Sequence, residues 1–179
     1  MGLKEERILS QYVYRGKILN VRLDSVKLPD GTTGTREVVE FSEAVAVVAL
    51  TDNNEVLLVR QYRYPVGREL LEIPAGKMEK GEQPEECARR ELAEETGYMA
   101  ANMRPLLRIY STPGFTSEKM HLFFASGLTR GNQNLDEGEF VELVKIPLVN
   151  ALKMIATGEI CDAKSIIGLL TVKQMIGTS

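Results

Sequence analysis

The chain has 179 residues, 44 % of them hydrophobic, and a formal net charge of −3. That length suits one domain, or one domain with a small extension, with enough apolar residues for a sizeable core. The charge balance gives no electrostatic case for nucleic acid or an anionic membrane. Its two cysteines, Cys87 and Cys161, make no disulfide framework. With neither a leader pattern nor an apolar run of spanning length, the chain reads as cytoplasmic.

In chain order, residues 11–14 and 18–28 read as strands, Asp30-Gly31 as a turn, and Thr35–Phe41 as a returning strand rich in β-branched residues. Together they suggest a small N-terminal antiparallel sheet. Ala44–Leu50 (AVAVVAL) is a continuous apolar run, consistent with a buried strand. A turn at Asp52-Asn53-Asn54 leads into strands Glu55–Tyr64 and Glu69–Ile73. A glycine-bearing loop and a helix follow. Met103–Ser111 and Met120–Ser126 read as strands, Gly127–Asp136 as a mobile polar loop, and Phe140–Ile146 as a last strand. Helices close the chain at Leu148–Thr157 and Asp162–Met175, the second capped by Asp162. This is an α+β order without internal repeats.

Residues 76–98 carry the chemistry. The stretch reads G-x5-E-x7-R-E-apolar-x-E-E-x-G-apolar, with Gly76, Glu82, Arg90, Glu91, Leu92, Glu94, Glu95, Gly97 and Tyr98 at the set positions. Glu91, Glu94 and Glu95 stand at i, i+3 and i+4, so a helix gathers them on one face. Three like charges there repel unless something offsets them, and hard cations such as Mg2+ or Mn2+ favour carboxylate oxygens. Arg90 can anchor a carboxylate by a forked, charge-assisted bond. Pro84 suits the first helical position, Glu85 and Glu86 complement the positive helix end, and Gly97 suits a left-handed stop. Charge runs are usually solvated helix faces. Against that reading, seven fixed residues and two apolar positions coincide by chance at about 10^-9 per window.

This pattern resembles the box that defines the Nudix hydrolases, and it is complete. The resemblance implies a Nudix fold over residues 44–179, a mixed sheet packed between helices in an α/β/α sandwich, with residues 1–43 as an antiparallel extension. Softer segments are similar to the ADP-ribose pyrophosphatase subgroup: Gln61-Tyr62-Arg63, Ser111-Thr112-Pro113-Gly114-Phe115, Asp136 to Glu142, and Asp162-Ala163-Lys164-Ser165.

The resemblance implies metal binding by Glu91, Glu95 and the Ala75 carbonyl. Glu94 pairs with Arg90, binds a further metal, or does both, and Glu82 supports the site. A late-loop glutamate acts as base or additional ligand, Glu139 first and Glu137 second. Arg63 matches a diphosphate-binding arginine and Arg36 is a second candidate, equally readable as a surface ion pair. Pro113 falls at a characteristic proline near the substrate. Tyr14, Ile18 and Phe41 are options for stacking a base. The lone histidine, His121, lies in an apolar strand and reads as a packing residue.

The implied reaction is metal-dependent hydrolysis of ADP-ribose to AMP and ribose 5-phosphate. Alternatives are hydrolysis of another nucleoside-diphosphate sugar such as GDP-mannose, or a non-catalytic binding module; such modules usually lose box glutamates. The implied assembly is a homodimer that exchanges the N-terminal sheet. Gln83, at the helix cap, and Phe41-Ser42-Glu43, in place of a His-Pro-Gly-like turn, depart from the pattern.

Overall fold

The computed structural model describes residues 2–177. They form two compact units, one of residues up to Glu43 with Tyr110–Lys119, the other of Ala44–Ile109 with the chain from Met120 onward.

The first unit is a three-stranded antiparallel sheet, β1 (Glu6–Arg15), β2 (Asn20–Lys27) and β3 (Thr33–Glu40), in that order. The β2–β3 turn is set by Asp30, whose carboxylate accepts the Thr32 N–H at 2.9 Å, and by Gly31 at φ 88°. The returning segment 115–117 lies parallel to the end of β3: Val39 donates to the Phe115 carbonyl at 2.8 Å, and Ser117 donates to that of Val39 at 3.0 Å. Arg22 pairs with Asp24 and Glu40 on this sheet. β1 is exposed along its whole length.

The second unit is built on β4 (Ala44–Leu50), every residue of which is buried. Among the described residues its mixed sheet runs β10 (Glu142–Pro147), β5 (Glu55–Arg63), β4, β9 (Lys119–Arg130), β8 (Tyr98–Tyr110), with β6 (Arg68–Glu72) on β5 and β7 (Ala75–Lys77) on β4. β4 and β9 are parallel, while β5 and β10 continue antiparallel. Side chains alternate across a strand. Ala44, Ala46, Val48 and Leu50 therefore pack with α2 (Leu148–Thr157) and α3 (Ala163–Gly177), through Leu148, Ala151, Leu169 and Val172. Val45, Val47 and Ala49 pack with Cys87, Ala88 and Leu92 of α1 (Pro84–Thr96). Two covered faces explain why this strand carries no polar alternation. It is the expected sheet between helices, with a separate N-terminal sheet.

Several expected bounds shift. β7 lies within the presumed box loop. β8 and β9 run longer than expected, and β9 takes Gly127–Arg130 into the sheet. The polar stretch beyond it is tied down: Gln133 Nε2 donates to the Glu95 carbonyl at 2.5 Å, and the Asn134 N–H to that of Glu94 at 3.1 Å. These carbonyls end α1 and have no partner within the helix. No helix among the described residues is long and apolar enough to cross a membrane.

Candidate functional site

α1 starts at Pro84, where Glu86 reaches back to accept the Gln83 N–H at 3.2 Å. That reciprocal cap compensates for a weak cap residue. The helix stops at Gly97, at φ 71°, whose N–H donates to the Ala93 carbonyl at 2.9 Å. Burying Cys87, Ala88 and Leu92 against β4 fixes the rotation of α1 and turns the row Glu91–Glu95 toward β7. The Ala75 N–H donates to Glu95 Oε2 at 3.0 Å. Gly76 is required by close approach: a Cβ there would lie 1.9 Å from the Glu91 carboxylate.

Arg90 organises the acidic face. Nε and Nη2 grip Glu82 at 2.9 and 3.1 Å, and Nη1 donates to Glu91 at 2.8 Å and Glu94 at 2.9 Å. Its remaining bonds reach the Lys77 carbonyl at 3.1 Å and the Cys87 sulfur at 3.3 Å. The Arg90 bonds hold the Glu82 carboxyl down at about 2. Burial pushes the Cys87 thiol up to about 12, so it is an inert packing group.

Glu91 and Glu95 behave in the opposite way. Burial lifts Glu91 to about 7; Arg90 opposes the rise, and Glu94 and Glu139 add to it. Glu95 rises to about 8, again through burial first, with Glu91 and Glu139 adding and the Ala75 N–H and Arg63 opposing. A half-buried and a buried carboxylate that repel each other are a hard-oxygen donor set in want of positive charge, and a divalent cation fits them. Among the described residues no three acidic, histidine or cysteine side chains form one ready cluster. Arg90 engages Glu91 and Glu94, and the Ala75 N–H engages Glu95.

The structure thus brings together Glu82, Arg90, Glu91, Glu94, Glu95 and Ala75. Glu139 also falls within electrostatic range of Glu91 and Glu95. Its loop follows the segment tied to the end of α1. Arg63, at the end of β5, is within range of Glu95 and bonds Glu72 through Nε and Nη2, both at 2.7 Å. Arg36 pairs with Glu5 in the N-terminal unit, where Pro113 is exposed. His121 is half-buried in β9. Sequence reasoning missed Glu72, which reads as one acidic residue in an ordinary strand, and the ammonium of Lys164 that bonds it.

A NUDIX domain model matches residues 40–166, and a model described as the nucleoside diphosphate sugar hydrolase N-terminal domain matches residues 5–39. The chain is 42 % identical to a Bacillus subtilis (strain 168) ADP-ribose pyrophosphatase over 92 % of its own length and 90 % of the relative. It is also 42 % identical to a Bacillus methanolicus protein named methanol dehydrogenase activator, over 93 % and 91 %. A GDP-mannose pyrophosphatase of Citrobacter koseri is 35 % identical over 74 % of each chain. A crystal structure titled as an ADP compounds hydrolase superposes with a TM-score of 0.89 at 24 % identity, covering 98 % of this chain and 95 % of that one, which speaks to the fold. With its complete box on α1 beside β7, this chain belongs to the Nudix hydrolase family, whose members of this kind use divalent metal ions.

Proposed function

We propose that the chain is a cytoplasmic ADP-ribose diphosphatase that uses Mg2+, or alternatively Mn2+, to yield AMP and ribose 5-phosphate. The observation that carries this reading is the pair of half-buried Glu91 and buried Glu95, with Glu139 in range. The substrate rests on similarity to the relative named ADP-ribose pyrophosphatase. A bound divalent cation supplies charge neutralisation at the diphosphate oxygens and acidifies water. Glu91, Glu95, the Ala75 carbonyl and Glu94 are the groups to hold it. Arg90 keeps Glu91 and Glu94 in register. Arg63 binds the diphosphate through the N–H groups that its bonds to Glu72 leave over. Glu139 takes the proton of the attacking water. Water bonds to one phosphorus, the bridging P–O bond breaks, and its electron pair leaves with the other phosphate. Arg36 and Pro113 are proposed as further substrate contacts, a role for which Arg36 must leave Glu5.

The test is product analysis with Mg2+, offering ADP-ribose beside GDP-mannose, ADP-glucose, NADH and a nucleoside triphosphate. AMP and ribose 5-phosphate from a preferred ADP-ribose are expected. Preference for GDP-mannose would move the specificity to that of the other named relatives while keeping the box chemistry.

The relative named methanol dehydrogenase activator supports a second reading, stimulation of a dehydrogenase by this chain. Adding wild-type and Glu95→Gln protein to a methanol dehydrogenase separates the two. Stimulation by both would place that role outside the hydrolytic site.

A further inference from the structure

Among the described residues, Glu72 is the most deeply buried carboxylate, and the mechanism above leaves it unused; its side chain is 1 % exposed. A carboxylate so placed requires compensation from every side. Arg63 supplies a fork, Nε to Oε1 and Nη2 to Oε2, both at 2.7 Å. Lys164 Nζ adds a bond to Oε2 and lies 3.0 Å from Asp162 Oδ1. Asp162 Oδ2 accepts the Ser165 N–H at 3.0 Å and its hydroxyl at 2.6 Å, while Ser165 Oγ accepts the Ile73 N–H at 2.9 Å. The network therefore holds two cations and two anions, and anchors the start of α3 to the strand end that carries Glu72. Burial pushes the Glu72 carboxyl up, but the Arg63 bond and the Lys164 charge outweigh it and hold it below its ordinary value. It stays charged.

Arg63 is the one member of this network that also looks outward. Its side chain is 39 % exposed, and it is attracted to Glu95. An arginine on an open strand end has many rotamers and presents its fork to a ligand only part of the time. Here both bonded N–H groups point into a carboxylate that cannot itself move. The guanidinium plane is set before any ligand arrives, and N–H groups not given to Glu72 remain for an anion.

We propose that Glu72 is a positioning residue for Arg63, fixing the guanidinium so that its remaining donors meet a diphosphate brought to the cation site of Glu91 and Glu95. This rests on the diphosphate-hydrolase reading. It assigns to Glu72 a contribution to substrate affinity with no substrate contact of its own, through preorganisation.

The experiment is calorimetric titration of ADP with Mg2+ present, on wild type, Glu72→Gln, Arg63→Ala, the double variant and Arg63→Lys, with ADP-ribose kinetics in parallel. Glu72→Gln is expected to weaken ADP binding by about tenfold and to raise KM for ADP-ribose alike, with kcat changed by less than about threefold. On the Arg63→Ala background the same change is expected to add less than about twofold. Wild-type affinity in Glu72→Gln, or its full effect on the Arg63→Ala background, overturns the proposal. Should Glu72→Gln fail to fold, Arg63→Lys decides: it keeps the charge and loses the fork, so affinity as poor as that of Arg63→Ala is expected, and wild-type affinity overturns. The two readings fail separately. ADP binding that depends on Glu72 through Arg63, without ADP-ribose turnover, leaves the positioning role and removes the substrate. Turnover with no dependence on Glu72 does the reverse, and an absence of ADP binding removes both.

Discussion

Burial at Glu91 and Glu95 determines how the site responds to pH. Both carboxyls ionise above the ordinary 4.5, at about 7 and about 8, because burial strips water from the charged form. Between those values the folded, metal-free protein holds protons that the unfolded chain has released. Its stability therefore falls as the pH rises through that window, and a cation that binds the ionised pair reverses the trend. Metal-stripped protein is expected to show a Tm that declines from about pH 5 to about pH 8, and Mg2+ should raise Tm more at the upper end. A Tm insensitive to both pH and Mg2+ across that range would contradict a carboxylate pair raised by desolvation. At Glu139 the expectation is kinetic: Glu139→Gln should lower kcat by about 10²-fold or more, as loss of a general base does. An undiminished rate would shift the role to Glu137.

At the scale of elements, the site is a helix face pressed against a three-residue strand. β7 pairs with β4 through Ala75 and Gly76, opposite Ala46 and Val45. That pairing leaves room for the Glu91 carboxylate only because Gly76 has no side chain. The atoms a Cβ would strike are the far end of a flexible glutamate, so Gly76→Ala displaces the carboxylate and spares the fold. The expected result is a Tm close to wild type together with turnover reduced by about 10²-fold, the usual effect of a misplacement near 1 Å. Full activity in Gly76→Ala would show that the position of Glu91 is not critical. Sequence pattern did not reveal β7. Three residues are too few for a periodic signal, and its strand character comes from pairing with β4. Gly127–Arg130 read as loop for a related reason. Its glycine and polar residues match turn composition, and the backbone pairing that holds them in β9 depends on neighbours distant in the chain.

For the whole molecule, β1 presents Ile8, Leu9 and Val13 to solvent, each more than half exposed. A three-stranded sheet with apolar residues left uncovered is marginal by itself. We therefore propose a homodimer in which these strands are covered. Light scattering after size exclusion is expected to give twice the mass of one chain, and Leu9→Lys to shift it toward the monomer; a wild-type monomer would remove the assembly from the proposal. The sequence by itself determined that Glu91, Glu94 and Glu95 share one face, because i, i+3 and i+4 spacing gathers side chains on any α-helix. It also determined the buried central strand, because only a strand covered on both faces is apolar at every position. Local capping residues likewise marked α1 at Pro84 and Gly97. Tertiary structure alone decided which charges met. It turned Arg90 onto Glu82, Glu91 and Glu94, carried Glu139 to the pair through a segment tied to the end of α1, and set Arg63 and Lys164 of α3 against Glu72. Those encounters join residues up to 92 positions apart, and no local periodicity encodes a contact made by packing helices on opposite faces of one sheet.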